Sequence, residues 1–404
     1  MNICGIVAEY NVFHSGHLHQ IQETRRLLGD DCAIVCVMSG NFVQRGESAI
    51  MEKHSRARCA IRQLGRDGAD LVIELPTPYA LASAQGFARG AVRLLESTGI
   101  CSHLSFGSES GDLDELRRVA GVLESGEFSA LLREKLALGL SFAAARQSAA
   151  EALLGESAGV MAKPNSILAI EYLSALSCLG SPIEPVTVKR LGAAHDTADI
   201  AKHVSAGALR AAFRAGYAVE DKYLPEGTAE IIEREMAAGR FPADLKNCER
   251  AVLAVLRRCS EEDLALADGS HEGLHRRIYG ALRSCTSLEE VISAAKTKRY
   301  ARSRICRTLM RAYLGIREDM ALTPPPYIRP LAFNRRGQEL LRDMADNASL
   351  PVITKPAHAR RLEGFGRELF LLEERCTDDF ALTYPDLKSA VCGGEVTHGV
   401  EIIR

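Results

Sequence analysis

The chain has 404 residues, with 50 lysines and arginines against 52 aspartates and glutamates, a formal net charge of −2 and 47% hydrophobic residues. This composition is typical of a folded, soluble protein, and it excludes intrinsic disorder and a small scaffold held together by disulfides. Because the charges balance, the molecule as a whole has no affinity for polyanions, so a nucleic-acid surface would have to be a local basic patch.

The N-terminus and the cysteines indicate the cellular compartment. Met1 to Asn11 lacks the basic head and apolar run of a signal peptide, and no stretch approaches the ~18 uninterrupted apolar residues of a membrane helix. Twelve cysteines without a C-x-x-C pair predict reduced thiols and no metal site. Cys32 and Cys36 share one face of a predicted strand, where burial is commoner than a metal or redox pair. We therefore expect a cytoplasmic protein without membrane association.

The N-terminal part of the chain alternates apolar strand runs with amphipathic helices, which is typical of a parallel sheet covered by helices. The predicted strands are Ile3 to Ala8, Ala33 to Met38, Leu71 to Leu75, His103 to Phe106 and Pro185 to Lys189. The predicted helices are Gly16 to Leu28, His54 to Leu64, Ser83 to Glu96, Ser166 to Leu176 and Ala206 to Arg214.

Two further stretches are predominantly helical. The segment at about 112–160 is uniformly helix-forming and predicts a helical insertion into the sheet domain. Beyond residue 220 strand signals nearly vanish, and the predicted helices are Thr228 to Ala238, Glu249 to Arg258, His271 to Arg283, Ser287 to Lys296, Ser303 to Leu314 and Gly337 to Met344. The predicted fold class is therefore α/β: a Rossmann-like parallel-sheet domain over 1–219, followed by a mostly α-helical domain over 220–404.

The most informative segment runs from Gly5 to His17, where an apolar strand ends, a short turn follows, and H-x-G-H opens a helix. A helix N-terminus presents unpaired N–H groups and the positive end of the dipole, so it attracts phosphate, and Gly16 allows a close approach. His14 and His17 could donate hydrogen bonds to phosphate oxygens during in-line displacement at the α-phosphorus of ATP. The alternative is a surface turn with two solvated histidines.

A second element, His203 to Arg210, supports the first. Ser205 is placed to cap a helix, and Arg210 lies one and a half turns further on, where it could reach the β- and γ-phosphates. Alone, this segment would be an ordinary capped helix.

Together the two elements resemble the nucleotidyltransferase superfamily with the HIGH-type signature, whose second motif reads Ile-Ser-Ser-Thr-x-x-Arg. Six ordered segments narrow the resemblance to the bacterial tRNA(Met) cytidine acetate ligase family: GIVAEYNVFHSGHLHQI, SGNFVQRGESAI, GADLVIELP, SFGSE, KPNSILAIEYL and KRLGAAHD. The resemblance continues more weakly in KRYARSRICRTLMRAYLGI, from Lys298 to Ile316.

The resemblance implies an enzyme that activates acetate with ATP and Mg²⁺ as acetyl-adenylate, releasing pyrophosphate. The acetyl group then goes to N4 of the wobble cytidine of elongator tRNA(Met). It implies His14, His17 and Arg210 as catalytic residues. The implied ATP-binding residues are Val7, Ala8, Glu9, Tyr10, Asn11, Gly16, Gln20, Gly107, Asn165, Arg190 and Ser205. For Asn165 a helix-start role, and for Arg190 a surface ion pair, are the alternatives.

The sequence departs from the family at three positions. Val12 stands where the family usually has proline, Ser15 where it usually has asparagine, and Gly207 where the second motif has threonine. The first two leave both histidines and Gly16 in place. Gly207 lacks a hydroxyl that could touch phosphate, which bears on triphosphate binding more than on the class of reaction.

The loop after the second strand, Ser39 to Gly46, is rich in hydrogen-bonding groups and could close over acetate or the incoming cytosine. Its candidate substrate contacts are Asn41, Gln44 and Arg45, although an ordered surface loop would look the same. On the following helix, Lys53, Arg56 and Arg58 predict a rim for the tRNA.

The helical domain carries a run of basic residues that contains no acidic residue. It comprises Lys296, Lys298, Arg299, Arg302, Arg304, Arg307 and Arg311. Ile305, Leu309 and Ala312 form an apolar stripe, so the charges are predicted to project from the other side and bind tRNA phosphates. A solvated helix face is the alternative.

Two rival functions share the H-x-G-H motif. One is a small-molecule nucleotidyltransferase that joins AMP to a phosphorylated metabolite, which would not need a large helical domain with a basic run. The other is a non-catalytic RNA-binding protein on a degenerate nucleotide fold, which Gly207 favours and the intact His14, His17 and Arg210 oppose.

Overall fold

The computed structural model describes residues 1–63, 67–190, 205–269 and 272–404. The strands in these residues are β1 (Ile3–Ala8), β2 (Ala33–Ser39), β3 (Phe42–Val43), β4 (Glu47–Ser48), β5 (Leu71–Leu75), β6 (His103–Ser108), β7 (Glu184–Lys189), β8 (Pro330–Phe333) and β9 (Glu401–Ile402). The helices up to the second motif are α1 (Ser15–Leu28), α2 (Lys53–Ile61), α3 (Thr77–Ala80), α4 (Ala84–Ser97), α5 (Leu113–Leu123), α6 (Gly126–Ala137), α7 (Phe142–Leu154), α8 (Pro164–Leu179) and α9 (Ala206–Arg214).

The remaining helices form most of the C-terminal half. They are α10 (Glu226–Ala237), α11 (Glu249–Arg258), α12 (Glu261–Asp268), α13 (Leu274–Ser284), α14 (Leu288–Ala295), α15 (Arg302–Leu314), α16 (Arg335–Asn347), α17 (Gly364–Ala381) and α18 (Gly394–Thr397). In the described residues, none of the helices has both the length and the apolar character needed to cross a membrane.

Seven strands form one sheet in the order β7-β6-β1-β2-β5-β8-β9. The five strands from β7 to β5 are parallel, with Val7 opposite Val37 and Ile6 opposite Ser105. β8 pairs antiparallel with β5, and β9 pairs parallel with β8. β3 and β4 form a separate two-stranded antiparallel hairpin. The predicted mostly parallel sheet with covering helices is therefore confirmed.

The sheet is buried on both faces because its strands alternate apolar side chains between two cores. Val35 and Val37 of β2 belong to the core on one face, whereas Ile34, Cys36 and Met38 belong to the core on the other. All seven residues of β2 are buried, as expected for a central parallel strand.

The C-terminal half is not purely helical. β8 and β9 extend the sheet, and apolar residues of α11, α13 and α15 share one continuous core with residues of β2 and β5. The division between residues 219 and 220 stays a prediction, but the sheet crosses it. Helices α5, α6 and α7 occupy the segment in which an insertion is predicted.

A cluster of buried charges joins the C-terminal segment to the sheet. Lys53 at the start of α2 lies 2.7 Å from Glu74 of β5 and 2.5 Å from Glu395 of α18. Arg329, just before β8, forms an ion pair of 2.8 Å with Glu395. Lys53 is 1% exposed and Arg56 is fully buried, and Arg58 pairs with Glu401 at 2.6 Å. The prediction of a tRNA rim is therefore wrong for Lys53 and Arg56, because both are buried. Arg58 is half-buried, and its place in a rim stays a prediction.

Glu373 of α17 is a carboxyl group at the edge of this cluster. It is 2% exposed, and it accepts hydrogen bonds from the backbone N–H and the hydroxyl of Thr77 at 2.6 and 2.7 Å. Burial and the nearby charge of Glu74 raise the pKa of Glu373 to about 8. The side chain therefore holds a proton at neutral pH in the folded protein.

We predict that Glu373→Gln gains stability relative to the wild type as the pH rises. The raised pKa of Glu373 means that wild-type stability falls between the ordinary glutamate range and about pH 8. Glutamine cannot ionise, and its amide can keep both bonds to Thr77, so the variant escapes this loss. Urea unfolding near pH 5 and near pH 9 measures the difference. The exposed Glu368→Gln on the same helix is the control, and an equal pH response in both variants would contradict the prediction.

Candidate active site

The site begins at the carboxyl end of β1, at the point where the strand order reverses towards β6. In open parallel sheets this crevice is where ligands bind. The chain leaves β1 through Tyr10, whose φ of 45° lies in the left-handed region that non-glycine residues seldom adopt. The Tyr10 hydroxyl lies 3.1 Å from the buried Cys36 Sγ, and its ring packs edge-on against His17. Cys36 thus supports the turn as a core thiol.

His14 and His17 form the N-terminal cap of α1. The Nδ1 atom of His14 accepts a hydrogen bond from the Gly16 N–H at 3.0 Å, and Nδ1 of His17 accepts one from the His14 N–H at 3.3 Å. This is a capping box built from two imidazoles. Because each Nδ1 accepts, each neutral ring carries its proton on Nε2.

The two imidazole rings stack with centroids 3.9 Å apart. Burial and the nearby charges of His14 and Arg190 lower the pKa of His17 well below the ordinary histidine range. His17 is therefore neutral at pH 7, and its Nε2–H is a donor without a formal charge. Together with the N-terminus of α1, the pair can bind anionic oxygens, as the H-x-G-H motif predicts.

The carboxyl ends of β6 and β7 bring three predicted residues beside this cap. Arg190 donates to the Asn165 side-chain oxygen at 3.1 Å. A Cβ atom at Gly107 would lie 3.1 Å from the Arg190 side chain, so glycine permits the close approach. Asn165 stands in the first turn of α8, as the helix-start alternative proposed, yet its side chain also joins Arg190. Among the described residues, Arg190 is held by this amide contact, and the ion-pair alternative for it stays untested.

Glu109 organises the same corner, and sequence reasoning assigned it no role. Its two carboxylate oxygens accept four hydrogen bonds of 2.6 to 3.1 Å from the backbone and side chains of Asn165 and Ser166 at the N-terminus of α8. Burial opposes ionisation of Glu109, but the bonds from Ser166 and Asn165 outweigh it and lower its pKa. The only signal in the sequence was its place at the end of the SFGSE segment.

The second motif reaches the β1–α1 turn through Arg210. Its guanidinium donates to the Asn11 backbone oxygen at 2.7 Å. The Ser205 hydroxyl accepts from the Ala208 N–H at 3.2 Å and caps α9, as predicted. Gly207 is exposed in the first turn, and of the described residues a Cβ there would meet only Ser205, at 3.8 Å from its Oγ, so they leave room for a threonine. His203 and residues 191–196 of the KRLGAAHD segment lie outside the described residues.

The other predicted ATP-binding residues lie at the same junction, where the carboxyl end of β1 meets the N-terminus of α1. Val7, Ala8 and Glu9 are half-buried at the end of β1, and Gln20 of α1 donates to the Ser105 backbone oxygen at 3.4 Å. Val12 is fully buried in the core beneath the turn, and Ser15 begins α1. Both departures from the family are therefore compatible with the turn.

The predicted substrate loop splits into two parts. The Gln44 N–H donates to Glu9 at 2.8 Å, which holds the loop against the end of β1, and Arg45 is exposed. Asn41 is 2% exposed. Its side-chain oxygen accepts a hydrogen bond from the Lys53 N–H at 2.9 Å, and its side-chain N–H donates to the Thr377 hydroxyl at 3.3 Å. Asn41 therefore holds the loop from below, whereas Gln44 contacts the end of β1 through its backbone and Arg45 is at the surface.

Arg56 is the second residue whose role the sequence did not reveal. Its guanidinium donates to the backbone oxygens of Glu9, Ser39 and Gly40, and so ties the ends of β1 and β2 together. Burial lowers the pKa of Arg56 to about 10, although Glu52 and Glu9 partly oppose this. It remains a cation at neutral pH and supports the site from beneath.

The basic run of the helical region divides by exposure. Lys296, Lys298 and Arg299 are exposed before α15. Arg302 is exposed as well, but Glu289 binds it at 2.6 and 2.7 Å. The run therefore has four exposed cations at its N-terminal end, and Glu289 holds one of them, Arg302.

The last three arginines do not form the predicted outward face. Arg304 pairs with Asp268 and Glu272 at 3.2 and 2.6 Å. Arg307 is half-buried, and Arg311 is 5% exposed. The prediction that these three charges project from the side opposite the apolar stripe is wrong. Asp268 of α12 and Glu272 in the following turn hold Arg304, and Arg307 and Arg311 lie largely within the protein.

A family model and several known proteins match nearly the whole chain. The model of a family described as HIGH Nucleotidyl Transferase matches residues 1–392. The tRNA(Met) cytidine acetate ligase of Syntrophomonas wolfei is 36% identical over 414 aligned positions, covering 98% of each chain. The enzyme of the same name from Acetivibrio thermocellus is 35% identical and covers both chains completely.

Solved structures of the Thermotoga maritima protein TmcAL have the same fold. One, bound with alpha-thio ATP, superposes with a TM-score of 0.91 at 32% identity and covers 100% of this chain and 99% of that one. The apo form superposes with a TM-score of 0.92 at 33% identity, covering both chains completely.

Proposed function

The chain belongs to the tRNA(Met) cytidine acetate ligase family within the HIGH nucleotidyl transferases, and from that premise we propose that it acetylates N4 of the wobble cytidine of elongator tRNA(Met). ATP enters as its Mg²⁺ complex and acetate is the acyl donor. The observation that carries the proposal is the imidazole pair at the N-terminus of α1, set between Arg190 and Arg210 at the carboxyl ends of the parallel strands.

In the first step an acetate oxygen attacks the α-phosphorus of ATP, and the bond to the β-phosphate oxygen breaks. The products are acetyl-adenylate and pyrophosphate. His14 and His17 direct Nε2–H donors at the phosphate oxygens, where charge increases in the transition state. Arg210, at the β1–α1 turn, binds the β- and γ-phosphates. Arg190 and Asn165 line the opposite side of the ATP site.

In the second step the exocyclic amine of cytidine attacks the acetyl carbonyl carbon. The carbonyl–phosphate bond breaks, AMP leaves, and the amine loses a proton to form N4-acetylcytidine. Gln44 and Arg45, at the mouth of the junction, are placed to meet the base or its flanking phosphate.

Mass spectrometry of tRNA tests this function. The protein is incubated with ATP, ¹³C-labelled acetate and either a methionine tRNA transcript or the same transcript with uridine at the wobble position. Labelled acetylcytidine should appear in the first transcript and be absent from the second. Label in neither, or AMP joined to an added phosphorylated metabolite, would contradict the proposal and favour a small-molecule transferase.

We also propose that Lys296, Lys298 and Arg299 hold the tRNA backbone. Replacing all three with glutamine should weaken binding of every tRNA alike, because phosphate contacts position a nucleic acid without reading its sequence. The slope of log affinity against log salt should fall by up to about two to three units, from roughly 0.7 to 0.9 per contact. Filter binding across a salt series measures both.

The matched control replaces the exposed Arg117, Arg118 and Arg133 of the insertion with glutamine, which changes the net charge equally. This control should leave the salt slope unchanged, and acetate-dependent pyrophosphate exchange should survive in both variants. An unaltered slope in the first variant would show that these residues are only a solvated surface.

A further inference from the structure

A second group of chemically reactive side chains lies at the N-terminus of α2, on residues that the acetylation chemistry does not use. Glu52 caps this helix, His54 lies in its first turn, and His398 follows α18 near the C-terminus. One carboxylate oxygen and one nitrogen from each imidazole all lie within 4.8 Å of one another. The two imidazole rings meet edge to face with centroids 5.3 Å apart.

The inner two residues of this group have unused lone pairs. His54 is only 3% exposed, and neither of its ring nitrogens has a hydrogen-bond partner among the residues that the structure describes. Glu52 uses Oε2 to accept from the N–H groups of His54 and Ser55 at 3.0 and 3.3 Å. Within the described part of the chain its Oε1 has no hydrogen-bond partner, and it lies 4.0 Å from His54 Nε2. Buried polar atoms normally have hydrogen-bond partners, so these unpartnered atoms of His54 and Glu52 need an explanation.

We propose that Glu52, His54 and His398 bind one Zn²⁺ ion. Two imidazole nitrogens and one carboxylate oxygen are a ligand set that zinc accepts, whereas Mg²⁺ and Ca²⁺ prefer oxygen alone. Ligands at bond lengths of about 2.0 to 2.2 Å in a tetrahedral site lie roughly 3.4 Å apart, so the group needs only a small contraction. His398 is exposed, so its side chain can move towards the other two ligands. Because it lies at the surface, a water molecule can take the fourth coordination position.

The site would join the C-terminal segment to the helix that supports the active site. Glu395 of α18 already binds Lys53, and Glu401 of β9 binds Arg58, so the metal would add a third link between this segment and α2. The same helix carries Arg56, which binds the backbone oxygens at the ends of β1 and β2. Zinc would therefore stabilise the C-terminal segment without touching the reacting atoms.

Metal binding by the full-length, tag-free chain tests the proposal. Protein stripped with a chelator is titrated with Zn²⁺ alone, and bound metal is counted by elemental analysis. We expect one tightly bound ion per chain and a melting temperature raised by roughly 3 to 5 °C at a hundredfold excess over the dissociation constant. His398→Ala removes an exposed ligand and should fold normally, yet lose the shift and more than about 100-fold in affinity.

Two controls separate this site from chance binding. His358→Ala removes a half-buried histidine elsewhere in the C-terminal region and should keep the shift. All proteins carry Cys392→Ser, because this exposed thiol lies near His398 in sequence. Cobalt-loaded protein should show a tetrahedral spectrum without thiolate charge transfer. Zinc binding that persists unchanged in His398→Ala, or a stripped chain that takes up no zinc, would overturn the proposal.

Discussion

Replacing His17 with asparagine should lower the rate of acetyl-adenylate formation by about 10²- to 10³-fold, since one preorganised donor contributes ~2.7 to 4 kcal/mol to transition-state stabilisation. Asparagine can still accept from the His14 N–H through its side-chain oxygen, so the cap of α1 is kept. What it loses is the Nε2–H donor. The rate should therefore collapse while the melting temperature changes little.

Glutamine at the same position supplies the complementary test. Its amide N–H reaches close to the place of Nε2, so His17→Gln should recover part of the rate that His17→Asn loses. His103→Ala, at the amino end of β6 far from the carboxyl ends of the strands, is the control and should keep full activity. Near wild-type turnover in His17→Asn would remove His17 from the mechanism, and unfolding would assign it a purely structural role.

Replacing Lys53 with methionine should destabilise the protein by about 3 to 5 kcal/mol, because removing one partner of a buried ion pair leaves charge without compensation. Glu74 and Glu395 would both lose their cation, and Arg329 alone would have to hold the two carboxylates. Methionine has a similar length, so packing changes are small. The midpoint of urea unfolding measures the loss.

The control for this variant is a pair at the surface. Arg26 lies 2.8 Å from Glu23 on α1 with its side chain 67% exposed, and Arg26→Met should change stability by no more than about 1 kcal/mol. A loss from Lys53→Met as small as that of the control would show that water screens the buried cluster and that it does not anchor the C-terminal segment.

The central strands and the H-x-G-H turn could be predicted from the sequence because their signals are local. Apolar runs bounded by turn residues mark β1, β2 and β5, and a strand followed by a histidine-capped helix is contiguous in the chain. β8 and β9 could not be predicted in this way. Both are short. β8 becomes a strand because β5 offers an edge to a segment more than 250 residues away, and β9 then pairs with β8. The helix α17 was also missed, since it begins with two glycines that have low helix propensity.

The charged residues show a second limit. Lys53 resembles a surface cation in the sequence, because nothing near it indicates that its partner Glu395 lies 342 residues further on. Arg56 resembles one as well, because its partners are backbone oxygens at the ends of β1 and β2. Arg304 of α15 seems unbalanced in the sequence for the same reason, since its partners Asp268 and Glu272 belong to another part of the chain. Glu109 has four bonds that depend on the approach of α8 to β6. A charged residue can be identified in a sequence, but the residue that pairs with it can be identified only once the fold is known.

Exchange of labelled pyrophosphate into ATP tests the proposed chemistry most directly. With purified protein, ATP and Mg²⁺, exchange should depend on acetate, proceed without tRNA, and disappear in His17→Asn but not in His103→Ala. This result would show that acetate attacks the α-phosphorus at the imidazole pair. A folded protein that catalyses no exchange with acetate or any other short carboxylate, with or without tRNA, would contradict acyl-adenylate formation at this site.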